Sequence, residues 1–197
     1  TQTIVYLPHF MSWVVTASVF TLILSPSSAG LLNAVLMKLG VVEEGIYFLG
    51  DEKWWRFMFY VINIWKDTGW GTIIFMAPLS GINPELYEAA SMDGAGRWSQ
   101  MRFITLPALA NTIITVLILN LAKVMNLFES VFVLQNDAVI QKADVLQTYI
   151  YTQTFNSGTL PDFGYTTAVS LVSSLVGCAL VLICNRASYK VRGRGIV

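Results

Sequence analysis

Four stretches of this chain are apolar over about the distance a helix needs to cross a bilayer. They run from about Pro8 to Ser25, Trp54 to Ile82, Ala108 to Leu134 and Thr166 to Asn185, and a crossing takes about 20 helical residues. The balance of the 197 residues supports lipid as the solvent: 55% are hydrophobic and only 12% charged, where a soluble domain carries about a quarter charged. The mean hydropathy is +0.60. The chain therefore reads as all-α, a polytopic helical membrane protein with about four transmembrane helices in a single transmembrane domain.

The charges between the stretches give the direction. Arg97 and Arg102 lie between the second and third, and Arg186, Lys190, Arg192 and Arg194 follow the last. Basic residues near span ends favour the cytoplasm, and two spans separate these clusters, so both face it together with the C-terminus. The other two links then face outward, and they carry the acids: Glu43, Glu44, Asp51 and Glu52 in one, Asp137, Asp144 and Asp162 in the other. Trp54, Trp55, Tyr151 and Tyr165 suit an interfacial belt. Between Gly30 and Gly40 the run GLLNAVLMKLG is long enough for a short surface helix and too short to span.

Twelve basic and twelve acidic residues cancel, so nothing in the net charge points to nucleic acid. Cys178 and Cys184 share one apolar segment six positions apart, where a helix turns them away from each other, and they read as packing residues. His9 is the single histidine, so no zinc-ligand pattern and no Ser/His/Asp or Cys/His catalytic set arises. A phosphate-binding GxxxxGK[ST] loop is absent from the sequence. The opening Thr1-Gln2-Thr3 has no basic leader before the first apolar stretch, which is unlike a signal peptide; further spans are expected upstream.

The link from Asn83 to Pro107 reads NPELYEAASMDGAGRWSQMRFITLP. Asn83 is a good N-cap, Pro84 suits the first helical position, and Glu85 places negative charge in the first turn. Glu88, Ala89 and Ala90 continue the helix, and Asp93-Gly94 ends it with a residue free to turn left-handed. A second short helix is predicted from Arg97 to Phe103, with Pro107 opening the next span. Small alanines on an ordered surface helix let another protein approach closely; a mere connector needs no such capping.

Glu88-Ala89-Ala90, then three residues, Gly94, then nine residues and Ile104-Thr105-Leu106-Pro107 resembles the "EAA" loop of ABC importer permeases. YLPHFMSWVV at the start, NIWKDTGWGTIIFMA in the second stretch, Phe128-Glu129-Ser130, and Asn185-Arg186-Ala187-Ser188 before the basic tail extend the likeness to the carbohydrate branch, and within it to the LplB-like poly- and oligosaccharide permeases of bacteria. The resemblance covers nearly the whole chain. It implies a type I permease core, with the family's first one or two spans lying before Thr1, and a loop helix that inserts into a cleft of an ATPase through Glu88, Ala89, Ala90, Asp93, Gly94 and Arg97. It further implies a second permease subunit, two cytoplasmic ATP-binding subunits that hold the ATP and Mg, and an extracytoplasmic solute-binding protein, which the link from Asn136 to Tyr165 is placed to meet. No cofactor would reside on this chain, and its localisation would be the bacterial cell membrane.

Polar groups at membrane depth are costly and are functional candidates. Asn120, Lys123, Asn126 and Glu129 recur every three residues in the third stretch; Asn63, Lys66 and Asp67 lie in the second. From Ala108 to Lys123, and from Ile82 back to Asp67, is about 22 Å of helical rise, so these charges stand at similar heights. They either hold helices together through an Asp67–Lys123 or Lys66–Glu129 ion pair, or line a hydrated cavity. In a carbohydrate permease that cavity would bind sugar hydroxyls through Asn63, Asn120, Asn126 and their charged neighbours, beside Trp65 and Trp70. For Asn120 and Asn126 the cavity is preferred: amides both donate and accept, and helix bonding in membranes returns only about 0.6 kcal/mol per contact.

The chain is thus expected to be the transmembrane subunit of a binding-protein-dependent ABC importer moving an oligo- or polysaccharide, itself without enzymatic activity. An ion-coupled secondary transporter using Lys66, Asp67, Lys123 and Glu129 is the main rival. A non-transporting membrane subunit that docks a regulator is the second.

Overall fold

The computed structural model describes residues 2–27, 29–156 and 161–192. Arg194 of the basic tail lies outside them, as do the side chains of Lys190 and Arg192 and part of the link from Asn136 to Tyr165. Among the described residues every regular element is a helix. In order these are α1 (Gln2–Phe10), α2 (Trp13–Ile23), α3 (Leu31–Lys38), α4 (Glu52–Ser80), α5 (Pro84–Met92), α6 (Arg97–Gln100), a π-helical turn (Met101–Thr105), α7 (Leu106–Val124), α8 (Glu129–Leu134), α9 (Ile140–Ala143), α10 (Leu146–Phe155) and α11 (Phe163–Arg192). The chain forms two compact units, Thr1–Gly69 with Asn126–Ser173, and Trp70–Met125 with Ser174–Val197.

Two of the four expected spans are single helices long and apolar enough to cross a membrane: Arg97–Val124 and Phe163–Arg186. The other two differ from expectation. The stretch from Pro8 to Ser25 is not one helix, because α1 and α2 meet at a bend of 108°. Ser12 restarts the chain there in extended conformation, and its Oγ accepts the Val15 N–H at 3.2 Å as a helix N-cap. α4 is long enough, at 29 residues and about 43 Å, but Lys66 and Asp67 interrupt its apolar run.

The stretch from Ala108 to Leu134 is also not continuous. α7 ends at Val124 and α8 begins at Glu129, so Glu129 does not share a helix with Asn120 and Lys123, and the polar stripe expected there is broken. Upstream, the predicted short helix from Arg97 does not stop at Phe103. It runs through the π-helical turn into α7. Pro107 has no N–H to give and its ring crowds the preceding turn. One wide turn just before it absorbs that misfit without ending the helix.

The first unit holds the packed core. Ala17 and Leu24 of α2, Phe48 and Leu49, Trp55, Met58 and Ile62 of α4, and Val131 and Leu134 of α8 are buried together. Trp55 Nε1 donates to Leu134 O at 3.0 Å inside it, which satisfies the indole where water is excluded. Asn33 ties α3 down: its Nδ2 donates to Ser25 O (2.7 Å) and Ile46 O (2.9 Å), and its Oδ1 accepts from Ile46 N (2.9 Å). The predicted short helix between Gly30 and Gly40 is therefore present, with Gly40 in the left-handed region at φ 68°. In the second unit α7 and the later part of α11 bury few of their apolar side chains, as helices facing lipid do.

Candidate functional site

α5 is closed at both ends by its own sequence. Asn83 is extended and its Oδ1 accepts the Glu85 N–H at 3.1 Å, while its Nδ2 donates to Glu85 Oε2 at 3.1 Å. Pro84 occupies the first turn, where no donor is missed. At the far end Gly94 takes φ 78°. Its N–H reaches Ser91 O at 3.1 Å and the Ala95 N–H reaches Ala90 O at 2.8 Å, the paired bonds of a left-handed helix stop. A Cβ on Gly94 would touch nothing within 4 Å, so backbone conformation alone asks for glycine there.

Two contacts missed from sequence tie α5 to the helix that follows. Tyr87 Oη and Thr105 Oγ1 are 2.8 Å apart, and Gln100 Nε2 donates to Ser91 Oγ at 2.8 Å and to Ala95 O at 3.1 Å. Nothing in their spacing signals these bonds, because the paired residues lie 18 and 9 positions apart. α5 buries no residue of its own. Glu88, Ala89, Asp93, Gly94 and Arg97 are exposed and Ala90 is half-buried. Two large apolar side chains stand out beside them: Met92 is 90% and Trp98 73% exposed. Exposed apolar surface next to an ordered, capped helix is the makeup of a docking face.

The polar residues proposed for a membrane path are not gathered into one constellation. Asn63 is half-buried and spends its Nδ2 on Phe59 O of its own helix at 2.7 Å. Trp65 is exposed and meets Phe20 edge-on at 5.2 Å. Asn120 and Lys123 lie exposed on α7. Asn126 sits past the end of α7, where Gln147 Nε2 reaches its Oδ1 at 3.4 Å, and Glu129 opens α8.

The ion pairs inferred from depth give way to other partners. Lys66 donates to the carbonyls of Pro8, His9 and Met11 rather than to Glu129, and Asp67 Oδ1 lies 3.2 Å from His9 Nδ1. Height along a helix does not say which way a side chain turns, and the break between α1 and α2 supplies acceptors no hydropathy pattern shows. A cavity of about 270 Å³ in the first unit is lined by Thr21, Leu24, Tyr47, Leu49, Leu134 and Gln135 among others; it includes none of the predicted site residues.

The chain as a whole has counterparts among known proteins. Residues 1–190 match the family described as binding-protein-dependent transport system inner membrane component. The chain belongs to this family. It is 41% identical over 196 residues to the polygalacturonan/rhamnogalacturonan transport system permease protein YteP of Bacillus subtilis (strain 168), covering 99% of this chain and 59% of that one. It is also 41% identical to protein LplB of the same organism, covering 99% of this chain and 60% of the relative. The chain thus spans about three fifths of the curated relatives it matches.

Among solved structures this chain resembles a chain of a bacterial alginate ABC transporter in complex with an alginate pentasaccharide-bound periplasmic protein. The TM-score is 0.92 and the identity 36%, covering 99% of this chain and 66% of that one. The likeness at this identity reaches beyond the fold to the sequence family, and all-α membrane architecture follows from both.

Proposed function

We propose that this chain is the transmembrane subunit of a binding-protein-dependent ABC importer for an oligo- or polysaccharide, and that α5 is the helix through which a cytoplasmic ATPase moves it. The construction of α5 carries this reading. It is capped at both ends, exposed along its length, and bonded by Tyr87 and Gln100 to the base of the helix continuing into α7. A push on α5 therefore displaces that helix instead of spinning a loose connector. Glu88, Ala89, Ala90, Asp93, Gly94 and Arg97 form the contact, with Met92 and Trp98 beside them.

ATP and Mg belong to two ATPase subunits outside this chain, which itself is not catalytic. A second permease subunit completes the pore, in a bacterial cytoplasmic membrane with the C-terminus inside. Closing of the ATPase pair favours one access state only through contacts that differ between states. A polymeric sugar cargo is supported by the names of the relatives, polygalacturonan/rhamnogalacturonan for one and alginate for another. A solute-binding protein is supported by the periplasmic protein in the alginate complex. Asn63, Trp65, Asn120, Lys123, Asn126 and Glu129 remain the candidates for the cargo path, Asn126 first because its amide is exposed and already bonded to a second amide.

The test is ATP hydrolysis by the reconstituted complex, stimulated by its binding protein across a panel of oligosaccharides. Ala89→Arg, on the exposed face of α5, is expected to lose co-purification of the ATPase while the permease still inserts. Asn126→Ala is expected to weaken stimulation by sugar without loss of assembly. Uptake that survives ATP depletion and collapses with an uncoupler would overturn the importer in favour of an ion-driven carrier.

A further inference from the structure

The break between α1 and α2 strands carbonyl oxygens that a continuous helix would have used. Three carbonyls at the break, on Pro8 (which also accepts the Met11 N–H at 3.2 Å), His9 and Met11, converge on one point, and Lys66 Nζ stands there. It donates to Pro8 O at 3.2 Å, to His9 O at 3.1 Å and to Met11 O. An ammonium has three N–H donors, and each has its carbonyl. Lys66 is 4% exposed. The Trp13 ring closes another side, its centroid 5.3 Å from Nζ, a favourable placing for a cation.

The neighbouring surface of α4 is shaped to the same contact. Gly69 lies one turn beyond Lys66, and a Cβ there would come within 2.1 Å of Val5 O and 2.9 Å of Tyr6 Cα. Only glycine lets the α1 backbone lie this close. The carboxylate next in sequence is turned elsewhere, since Asp67 bonds His9 Nδ1.

Neutral carbonyls gathered at an interrupted membrane helix, with an aromatic face and no carboxylate among the bonded groups, are donor chemistry for a monovalent cation. A divalent ion is held mainly through carboxylates and water. We propose that this cradle is a monovalent-cation site whose occupant is built in: Lys66 is a cation tethered through α4 in place of one drawn from solution. α1 is then locked to α4 without dependence on an ion gradient. Membrane Lys66, a candidate for ion coupling by sequence, is instead the reason no free ion is needed at this break. The inference is independent of the cargo and of the ATPase.

Cutting the tether opens the site to a free cation of the same chemistry. Lys66→Ala removes Cγ, Cδ, Cε and Nζ, and n-propylammonium restores those atoms. In the purified full-length complex Lys66→Ala is expected to lower Tm by roughly 5–10 °C, the scale of leaving buried carbonyls unpaired. Millimolar n-propylammonium should return much of that loss. Choline, which has no N–H, should not, and the native complex should respond to neither. Two results overturn the proposal: Lys66→Met melting like the native complex, or n-propylammonium doing no more than choline. Should Lys66→Ala fail to assemble, amine acylation of the native complex decides. Lys66 is expected to stay unmodified while the exposed Lys38 and Lys53 react, and equal rates of modification would refute the cradle.

Discussion

Two helix ends in this molecule solve one physical problem by opposite means. Both α5 and α1 finish with carbonyls that have no partner further along the helix. α5 closes itself: Gly94 turns left-handed, and its own N–H and that of Ala95 fold back onto Ser91 and Ala90. α1 is closed from a distance, by a lysine more than fifty positions away in sequence that brings three donors at once. A self-closed helix keeps its shape while its surface stays open, which suits an element that another protein must grip. A remotely closed helix has order only while its partner is in place, which suits a joint inside a packed unit.

The contrast can be broken in order of expected effect. Gly69→Val should be the most damaging, because a Cβ at 2.1 Å from Val5 O meets backbone that cannot yield. A loss of about 3 kcal/mol is expected for such overpacking, read as a lowered midpoint in thermal or denaturant unfolding of the complex. If it unfolds like the native protein, α1 is not seated against α4. Gly94→Ala comes next. With nothing near its Cβ, only the left-handed backbone is penalised, by about 1–2 kcal/mol. Gly94→Asn should recover part of that, since asparagine tolerates this conformation. The readout is ATPase retention on co-purification, and equal behaviour of the two variants would show that side-chain contact, not backbone conformation, governs the position. Tyr87→Phe should be mildest, removing one hydrogen bond to Thr105 for about 1 kcal/mol. It sharpens the comparison by loosening the link from α5 to the following helix without touching either cap. Its expected signature is weaker stimulation of ATP hydrolysis by loaded binding protein, with ATPase capture unchanged.

How far each region was legible follows from the range of its interactions. Asn83, Pro84, Glu85, Asp93 and Gly94 act on groups within a turn of themselves, so their order along the chain states their geometry, and α5 is found where the capping residues put it. The helix after it is longer than its sequence suggests because Pro107 ordinarily opens a helix; that a π-helical turn carries the backbone past it depends on how that turn packs. Asn120, Lys123 and Glu129 share a spacing but not a helix, because the chain turns between Val124 and Glu129 within a run whose hydropathy gives no warning. Asn33 reads as one polar residue on a short apolar helix. It proves to be a fully bonded buried strut only because Ser25 and Ile46 arrive beside it.

By itself the sequence determined that the chain is helical and membrane-embedded, that an ordered helix lies between two membrane helices, and which family it belongs to. Those follow from composition, from caps acting over one turn, and from a motif with fixed spacing. Tertiary structure alone decided where the membrane helices break and what occupies the breaks. A carbonyl freed from its place in a continuous helix takes whichever donor the fold brings within reach, and for Pro8, His9 and Met11 alike one such donor, Lys66, lies on another helix.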